Sequence, residues 1–245
     1  EDKVANMWFA LSVAYRKFFA GADMRDSYST STLARYSLGL TLLLLAPTVV
    51  FLLKPGRKSV RQLTTALVTS ALAFFLASFQ VHEKSLLLAM VPAALIIDEH
   101  NVPFGVWFQV SGLFTMLPLL VKDGLLLPAA ACTAIYGVIA AVIYVDIRPI
   151  KDRDEPTVVR LDQMMRTGFY RVSYLCMAGL LLAWMLIPTP AALPDLYSVL
   201  IALLGALNLG VAYIYYMYAL YVTYTHVPSL VSPVASPAHS HIKCE

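Results

Sequence analysis

Charged residues are scarce in this sequence. Only 13% of its 245 residues are Asp, Glu, Lys or Arg, and 59% are hydrophobic. A soluble globular domain carries roughly 25% charged residues, so this chain has too few to cover a water-facing surface. Its charges also cluster between long apolar runs. The pattern excludes an ordinary soluble domain and is typical of a protein that crosses a membrane several times.

Several signatures of chemistry are absent as well. The three cysteines, Cys132, Cys176 and Cys244, form no CxxC pair, so neither a metal cage nor a disulfide framework is indicated. No basic stripe interleaved with aromatic residues marks a nucleic-acid partner. The GxSxG, HExxH, Walker A and Rossmann patterns are also missing. We therefore expect no metal, no cofactor and no nucleic acid.

Seven apolar segments are long enough to cross, or nearly cross, a bilayer. A spanning helix needs about 20 residues for about 30 Å of hydrocarbon. The sequence thus predicts an all-α fold, a polytopic transmembrane helical bundle within residues 1–226. The weakest segment is the third, whose purely apolar part is only 86–97. The predicted spans lie near 34–53, 62–80, 82–97, 102–121, 125–145, 172–187 and 197–222.

The first 20 residues have a different pattern. Val4, Trp8, Leu11 and Tyr15 follow one another at helical spacing, with charges at both ends of the stretch. The apolar part is short for a span, which favours an amphipathic helix at the membrane interface. The alternative is a trimmed transmembrane helix.

The two ends of the chain carry little information about chemistry. The chain begins with Glu1 rather than Met and has no signal-peptide pattern. We expect either that a segment was removed or that this is the C-terminal part of a longer protein. The tail 227–245 holds three prolines among Ser and His, and we predict that it is disordered.

The distribution of basic residues predicts an orientation. The loop 54–61 carries Lys54, Arg57, Lys58 and Arg61 without an acid, so the positive-inside rule places it in the cytosol. Alternation along the chain then places residues 82–84 on the opposite, lumenal side and the C-terminus in the cytosol. This assignment depends on the third segment, because every later segment inverts if 82–97 does not cross.

One charged motif stands between two apolar helices. His82, Glu83 and Lys84 would occupy the first turn of the third segment. A helix N-terminus attracts anions, and the imidazole and ammonium groups would add donors to a phosphate. Glu83 could orient one of these neighbours or act on a hydroxyl. The alternative is an ordinary polar loop whose lysine reaches the lipid headgroups, and the residues alone leave both open.

Two further charged stretches favour simpler interpretations. The run 152–155, Asp-Arg-Asp-Glu, contains a DxD pattern, but its mixed charges indicate a solvated loop. Lys122 and Asp123 are interpreted as a short hinge between two spans, although they could also line a substrate groove.

Four separated stretches carry a resemblance to known proteins: 1–6 (EDKVAN) with Trp8 and Phe9 after it, 79–85 (FQVHEKS), 116–123 (MLPLLVKD) and 193–200 (LPDLYSVL). They resemble one family, the dolichyl-phosphate-glucose-dependent α-1,3-glucosyltransferases of the endoplasmic reticulum, which belong to the GT-C superfamily. Their order and spacing are similar to the C-terminal half of that family over nearly the whole chain. The His-Glu-Lys motif is shared by the enzymes that add the first and the second glucose, whereas the first stretch is similar only to the former.

The resemblance implies a lumenal active site in a many-helix membrane fold. It implies transfer of glucose from dolichyl-phosphate glucose to the nine-mannose oligosaccharide on dolichyl diphosphate, with an α-1,3 linkage, for protein N-glycosylation. The general base of such enzymes is expected in the first lumenal loop, upstream of this chain, so no catalytic residue is assigned here.

The same resemblance assigns substrate-binding residues. It makes His82, Glu83 and Lys84 candidates for binding the donor phosphate or lining the active site, with residues 1–3 (Glu1, Asp2 and Lys3) as second-rank lumenal candidates. By the residues alone, acids in that position are ordinary complements of a helix dipole.

Two alternative functions remain. The nearer is the sister enzyme that adds the second glucose. The other is a non-catalytic polytopic transporter or scaffold, which would line its path with polar residues in mid-span. The predicted spans contain few of these, notably Gln109 and Asn208, and no acid or base in mid-span. That composition argues against ion coupling.

Overall fold

The computed structural model describes residues 3–18, 28–55, 58–98, 101–146 and 157–225. Within these ranges it is helical and contains no strand, so the all-α prediction is confirmed. The predictions for Glu1, Asp2, Arg57, the run 152–155 and the tail lie outside the described residues. The helices are α1 (Met7–Phe18), α2 (Thr30–Leu53), α3 (Val60–Ala77), α4 (Leu87–Leu95), α5 (Val102–Thr115), α6 (Leu117–Lys122), α7 (Leu126–Asp146), α8 (Thr157–Leu186) and α9 (Leu196–Thr225), with a 3₁₀ turn at Glu83–Leu86.

Four of the described helices are long and apolar enough to cross a membrane. They lie at Thr30–Leu53, Val60–Ala77, Thr167–Leu186 and Leu196–Thr223, and they coincide with the predicted segments 34–53, 62–80, 172–187 and 197–222. The segment 125–145 is covered by α7, which has a shorter apolar stretch at Leu126–Val142. The membrane bundle expected from composition is therefore present.

The other two predicted spans are interrupted helices. In the segment 82–97, the 3₁₀ turn leads into α4, which has only nine residues and contains Pro92. The segment 102–121 divides at Met116 into α5 and α6, and Pro118 stands at the start of α6. Pro118 has no amide hydrogen to donate to the helical ladder, which fits the break at Met116, whereas α4 continues through Pro92. Neither segment forms a single helix of regular spanning length.

The segment after α3 nevertheless returns along the whole length of that helix. At its beginning, the Phe79 amide donates to Ser37 Oγ, whose hydroxyl donates to the carbonyl of Ala77 at the C-terminal end of α3. At its end, Asp98 pairs with Arg61, in the first turn of α3. His82 and Asp98 therefore lie at opposite ends of the bundle. We call these the His82 end, which contains Ala77 to Lys84, and the Arg61 end, which contains Arg61 and Asp98.

The last helix, α9, connects the two ends through the core. At the Arg61 end, Gln62 Nε2 donates to the carbonyl of Thr223 at 2.9 Å. At the His82 end, the Tyr197 hydroxyl donates to the carbonyl of Ile187 at 3.0 Å. Between them, α9 packs in the main hydrophobic core. The largest fully buried side chains there and around it include Trp107, Phe108, Leu72, Ile201 and Leu209.

A buried polar network joins α5, α8 and α9 in mid-bundle. Trp107 Nε1 donates to Ser173 Oγ at 2.9 Å, and that hydroxyl donates to Asn208 Oδ1 at 3.2 Å. Asn208 Nδ2 donates in turn to Ser111 Oγ at 3.5 Å. Since none of these groups reaches water, each hydrogen bond offsets a desolvation cost. Asn208 therefore has a structural role in the core.

The N-terminal helix α1 stays at the His82 end. It has only twelve residues, Met7–Phe18. Trp8 bonds to the carbonyl of Ala77, and Tyr15 contacts the ring of Tyr28, which directly precedes α2, at 6.3 Å. A helix of this length is too short to span a bilayer. The position of this helix at the membrane interface stays a prediction.

We predict that Asn208→Leu lowers the free energy of unfolding by about 1–2 kcal/mol, because Ser111 and Ser173 lose a partner where water cannot replace it. Thermal unfolding of the detergent-purified protein measures the change. Leu207→Ala is the control, since Leu207 lies next to Asn208 in the chain but is 62% exposed. Equal melting temperatures for the two variants would contradict the role of the network.

Candidate functional site

A cleft with both charged and apolar lining residues opens at the His82 end of the bundle. It lies where the 3₁₀ turn that precedes α4 faces α6, and it encloses ≈ 550 Å³. Three of its residues are the charged motif expected from the sequence. The complete lining is His82, Glu83, Lys84, Ser85, Leu88 and Leu119.

The cleft lies at the beginning of a helical stretch. His82 is in an extended conformation, with φ −81° and ψ 142°, and its side chain does not cap the turn that follows. The first amide groups of a helix point away from it and carry partial positive charge. The imidazole of His82 and the ammonium of Lys84 are both exposed beside them. Three kinds of hydrogen-bond donor are therefore available to an anion here.

Glu83 has an unusual environment for a carboxylate. Its residue is only 8% exposed. Within the described residues, no ion pair joins Glu83 to His82 or Lys84. Every fully buried side-chain nitrogen or oxygen in the described part has a partner. Glu83 is one of the residues that line the cleft.

An apolar surface begins at the cleft and continues along α4. Leu88 lines the cleft and is 71% exposed. Val91 and Leu95 follow at helical spacing, 63% and 78% exposed, with Leu87 beside them. In a bilayer such a face contacts hydrocarbon. The cleft thus combines donors for an anion with a surface on which a lipid chain can lie.

Lys3 lies at the same end but does not line the cleft. Its ammonium pairs with the carboxylate of Asp195 at 2.5 Å, just before α9. This ion pair joins two of the stretches on which the family resemblance rests. In the structure, Lys3 thus contacts Asp195 and is not among the residues that line the cleft.

All four stretches behind the resemblance meet at the His82 end. The first contacts the second through Trp8, whose ring packs edge-on against Phe79 at 5.8 Å. The first also contacts the fourth through the pair of Lys3 with Asp195. The third contributes Leu119 to the cleft. Stretches far apart in sequence are thus neighbours in space around one site.

Sequence reasoning missed part of the lining. Leu119 lies in the stretch 116–123, which carries part of the family resemblance. Its place beside His82 could not be predicted from local sequence spacing, because the two residues come together only through tertiary packing. From the sequence, Leu88 was indistinguishable from the other apolar residues of the predicted span 82–97. Within the described ranges, no three His, Cys, Asp or Glu side chains come together to hold a metal ion.

The helices and the cleft define a polytopic α-helical membrane protein with a charged recess at one end. Residues 1–218 match the ALG6, ALG8 glycosyltransferase family. The chain belongs to that family.

Named relatives agree with this membership. A dolichyl pyrophosphate Man9GlcNAc2 alpha-1,3-glucosyltransferase of Gallus gallus is 48% identical over 134 residues, which are 54% of this chain and 24% of the relative. The protein of the same name from Pongo abelii is 34% identical over 224 residues, 85% of this chain and 41% of the relative. That from Mus musculus is 32% identical over 231 residues, 88% and 43% respectively. The chain spans less than half of the length of these relatives.

We predict that Glu83→Gln leaves the melting temperature unchanged or raises it, because a neutral amide is less costly to bury than a carboxylate without a partner. Asp98→Asn is the matched control. It breaks the pair with Arg61 and should lower the stability by about 0.5–1 kcal/mol. A larger loss for Glu83→Gln than for Asp98→Asn would show that the carboxylate of Glu83 is paired.

Proposed function

We propose that this chain provides the donor-binding end of a glucosyltransferase. The enzyme transfers glucose from dolichyl-phosphate glucose to the nine-mannose oligosaccharide on dolichyl diphosphate and forms an α-1,3 linkage. One observation supports the proposal above the others. The cleft places His82 and Lys84 at the start of a helical stretch, beside an exposed apolar face.

The geometry suits a lipid-linked sugar phosphate. The phosphate lies against His82, Lys84 and the first amides of the 3₁₀ turn, while the polyprenyl chain follows Leu88, Val91 and Leu95. When the sugar leaves, the phosphate oxygens gain negative charge. Donors already in place stabilise this charge more than that of the bound substrate, which is the condition for catalysis.

Glu83 fits a different part of the donor. Its carboxylate would repel the phosphate, so it is better suited to accept hydrogen bonds from sugar hydroxyls. A carboxylate that lines a cleft can do so. The general base is assigned, by resemblance, to a lumenal loop outside this chain.

The orientation in the membrane follows from the two ends of the bundle. The segment 78–98 connects them, which supports a crossing at the weakest predicted span. With the basic loop 54–61 in the cytosol, the His82 end faces the lumen and the C-terminus lies in the cytosol. We place the protein as a multi-pass protein in the endoplasmic reticulum membrane.

The mid-span polar residues argue against a transporter. Gln109 Nε2 donates to the carbonyl of Met90 at 2.9 Å, and Asn208 belongs to the buried network with Ser111 and Ser173. Both amides are thus engaged in helix packing rather than lining a path. The sister activity, addition of the second glucose, is less favoured because the relatives named above carry the name of the Man9GlcNAc2 enzyme.

We predict that His82→Ala in the full-length protein lowers turnover with dolichyl-phosphate glucose by about a hundredfold, as expected for loss of one donor to the leaving group. Expression and melting temperature should be preserved, because His82 is exposed. Glucose transfer to the nine-mannose acceptor measures the effect.

Lys54→Ala is the control for His82→Ala, since Lys54 is an exposed cation at the Arg61 end. It should retain full turnover. Unchanged turnover in His82→Ala would contradict the proposed site. Activity on the one-glucose acceptor alone would instead identify the sister enzyme.

We predict opposite sidedness for two exposed positions. In a cysteine-free background, Lys54→Cys should react with a membrane-impermeant maleimide on sealed microsomes, whereas Gln80→Cys should react only after detergent is added. Both side chains are exposed, at the Arg61 end and the His82 end respectively. Equal labelling without detergent would place both ends on one side and overturn the topology.

A further inference from the structure

Side chains from two other helices bind the last carbonyl groups of α3. Ser37 Oγ in α2 donates to the carbonyl of Ala77 at 2.9 Å, and Trp8 Nε1 in α1 donates to the same oxygen at 2.5 Å. Asn6 Nδ2 donates to the carbonyl of Ser78 at 3.2 Å. The last carbonyls of a helix have no partner within it, and Ala77 is fully buried. These three side chains supply hydrogen bonds that water cannot.

Ser37 also determines how the chain leaves α3. Its oxygen accepts a hydrogen bond from the amide of Phe79 at 2.8 Å while its hydroxyl donates to Ala77. One buried hydroxyl therefore holds the end of the helix and the beginning of the turn. His82 follows Phe79 by only three residues in the sequence. Because Ser37 holds Phe79, it also restricts where the backbone places His82 in the cleft.

Asn6 caps two helices at once. Its Oδ1 accepts from the amide of Phe9 at 2.9 Å, which caps the start of α1, while its Nδ2 binds the carbonyl of Ser78. Only 3% of Asn6 is exposed. The amide side chain thus fixes α1 and the turn after α3 relative to each other.

The segment that carries Asn6 has no room to shift. Ala5 is 1% exposed. A Cβ added at Gly205 would lie 3.0 Å from the Cβ of Ala5 and 2.4 Å from Cγ2 of Thr115. The N-terminal segment is therefore packed closely against α9 at Gly205. It provides a rigid support from which Asn6 and Trp8 reach the end of α3.

We propose that Ser37, Asn6 and Trp8 are positioning residues for the donor site. They hold the turn before His82, and so set where His82 and Lys84 meet the donor phosphate. This role rests on the proposed function. It matters because a displacement of about 1 Å at a reacting centre can cost about a hundredfold in rate.

Two substitutions in the full-length protein remove these bonds with little change in shape. Ser37→Ala removes the two hydrogen bonds of Ser37, to the carbonyl of Ala77 and from the amide of Phe79. Asn6→Asp keeps the oxygen that accepts from Phe9, but it replaces the donor that faces the carbonyl of Ser78. Thr48→Val is the matched control. It removes a buried hydroxyl contact with Thr69 at 3.1 Å between the same two helices, α2 and α3, away from the turn.

Hydrogen–deuterium exchange tests the local effect. We expect exchange in peptides covering 78–86 to rise about tenfold in Ser37→Ala and Asn6→Asp, because the turn opens more often, while peptides within 62–75 keep their protection. Thr48→Val should leave the exchange of residues 78–86 unchanged from that of the unaltered protein.

Steady-state kinetics test the consequence for the donor. The KM of dolichyl-phosphate glucose should rise about tenfold in Ser37→Ala and Asn6→Asp, whereas the KM of the acceptor stays the same. A general loss of stability would affect both substrates together, so an equal rise in both KM values would overturn the positioning role. The role would also be overturned if Ser37→Ala and Asn6→Asp matched Thr48→Val both in the exchange of residues 78–86 and in the donor KM.

His82→Ala, assayed in parallel, separates the two proposals. If His82→Ala lowers turnover but Ser37→Ala and Asn6→Asp leave the donor KM unchanged, the positioning role is wrong and the proposed function stands. If His82→Ala leaves both the donor KM and the turnover unchanged, the proposed site is wrong, and the positioning role falls with it.

Discussion

A backbone carbonyl in the interior of a membrane protein must find its partner within the protein, because no water is available to it. At the end of α3 this requirement is met by Ser37 and Trp8, which bind the carbonyl of Ala77, and by Asn6, which binds that of Ser78. These bonds determine where α3 stops and where the chain turns. The cleft, the 3₁₀ turn and the return of the chain along α3 all follow from that turn.

The elements of the fold were largely predictable from the sequence. Runs of about 20 apolar residues identified the long helices, because the thickness of the hydrocarbon fixes the length of a span. Hydropathy does not register the 3₁₀ turn at Glu83–Leu86 or the break at Met116 before Pro118, and the two segments that contain them are interrupted helices. The short amphipathic helix was recognisable because its apolar residues recur at helical spacing.

The candidate site was predictable only in part. Charges between two apolar helices drew attention to His82, Glu83 and Lys84, since such groups are costly at a membrane boundary. Nothing in the spacing of Asn6 or Ser37 indicated a role, because their partners lie 72 and 40 residues away along the chain. The contact of Leu119 with the cleft is also a product of tertiary packing. Local sequence rules identify the charged groups of a site, but not the neutral residues that support them.

The return segment after α3 is attached at both ends, through Ser37 to Phe79 and through Arg61 to Asp98. Because its two attachment points lie at opposite ends of α3, the length of this segment must match the length of that helix. Removing or adding one residue would turn α4 by about 100° about its own axis, because a helix has 3.6 residues per turn. The exposed leucines would then face the protein, and buried Ala89 and Ala93 would face the lipid. The number of residues in this segment is therefore a tighter constraint on the fold than the identity of its lipid-facing side chains.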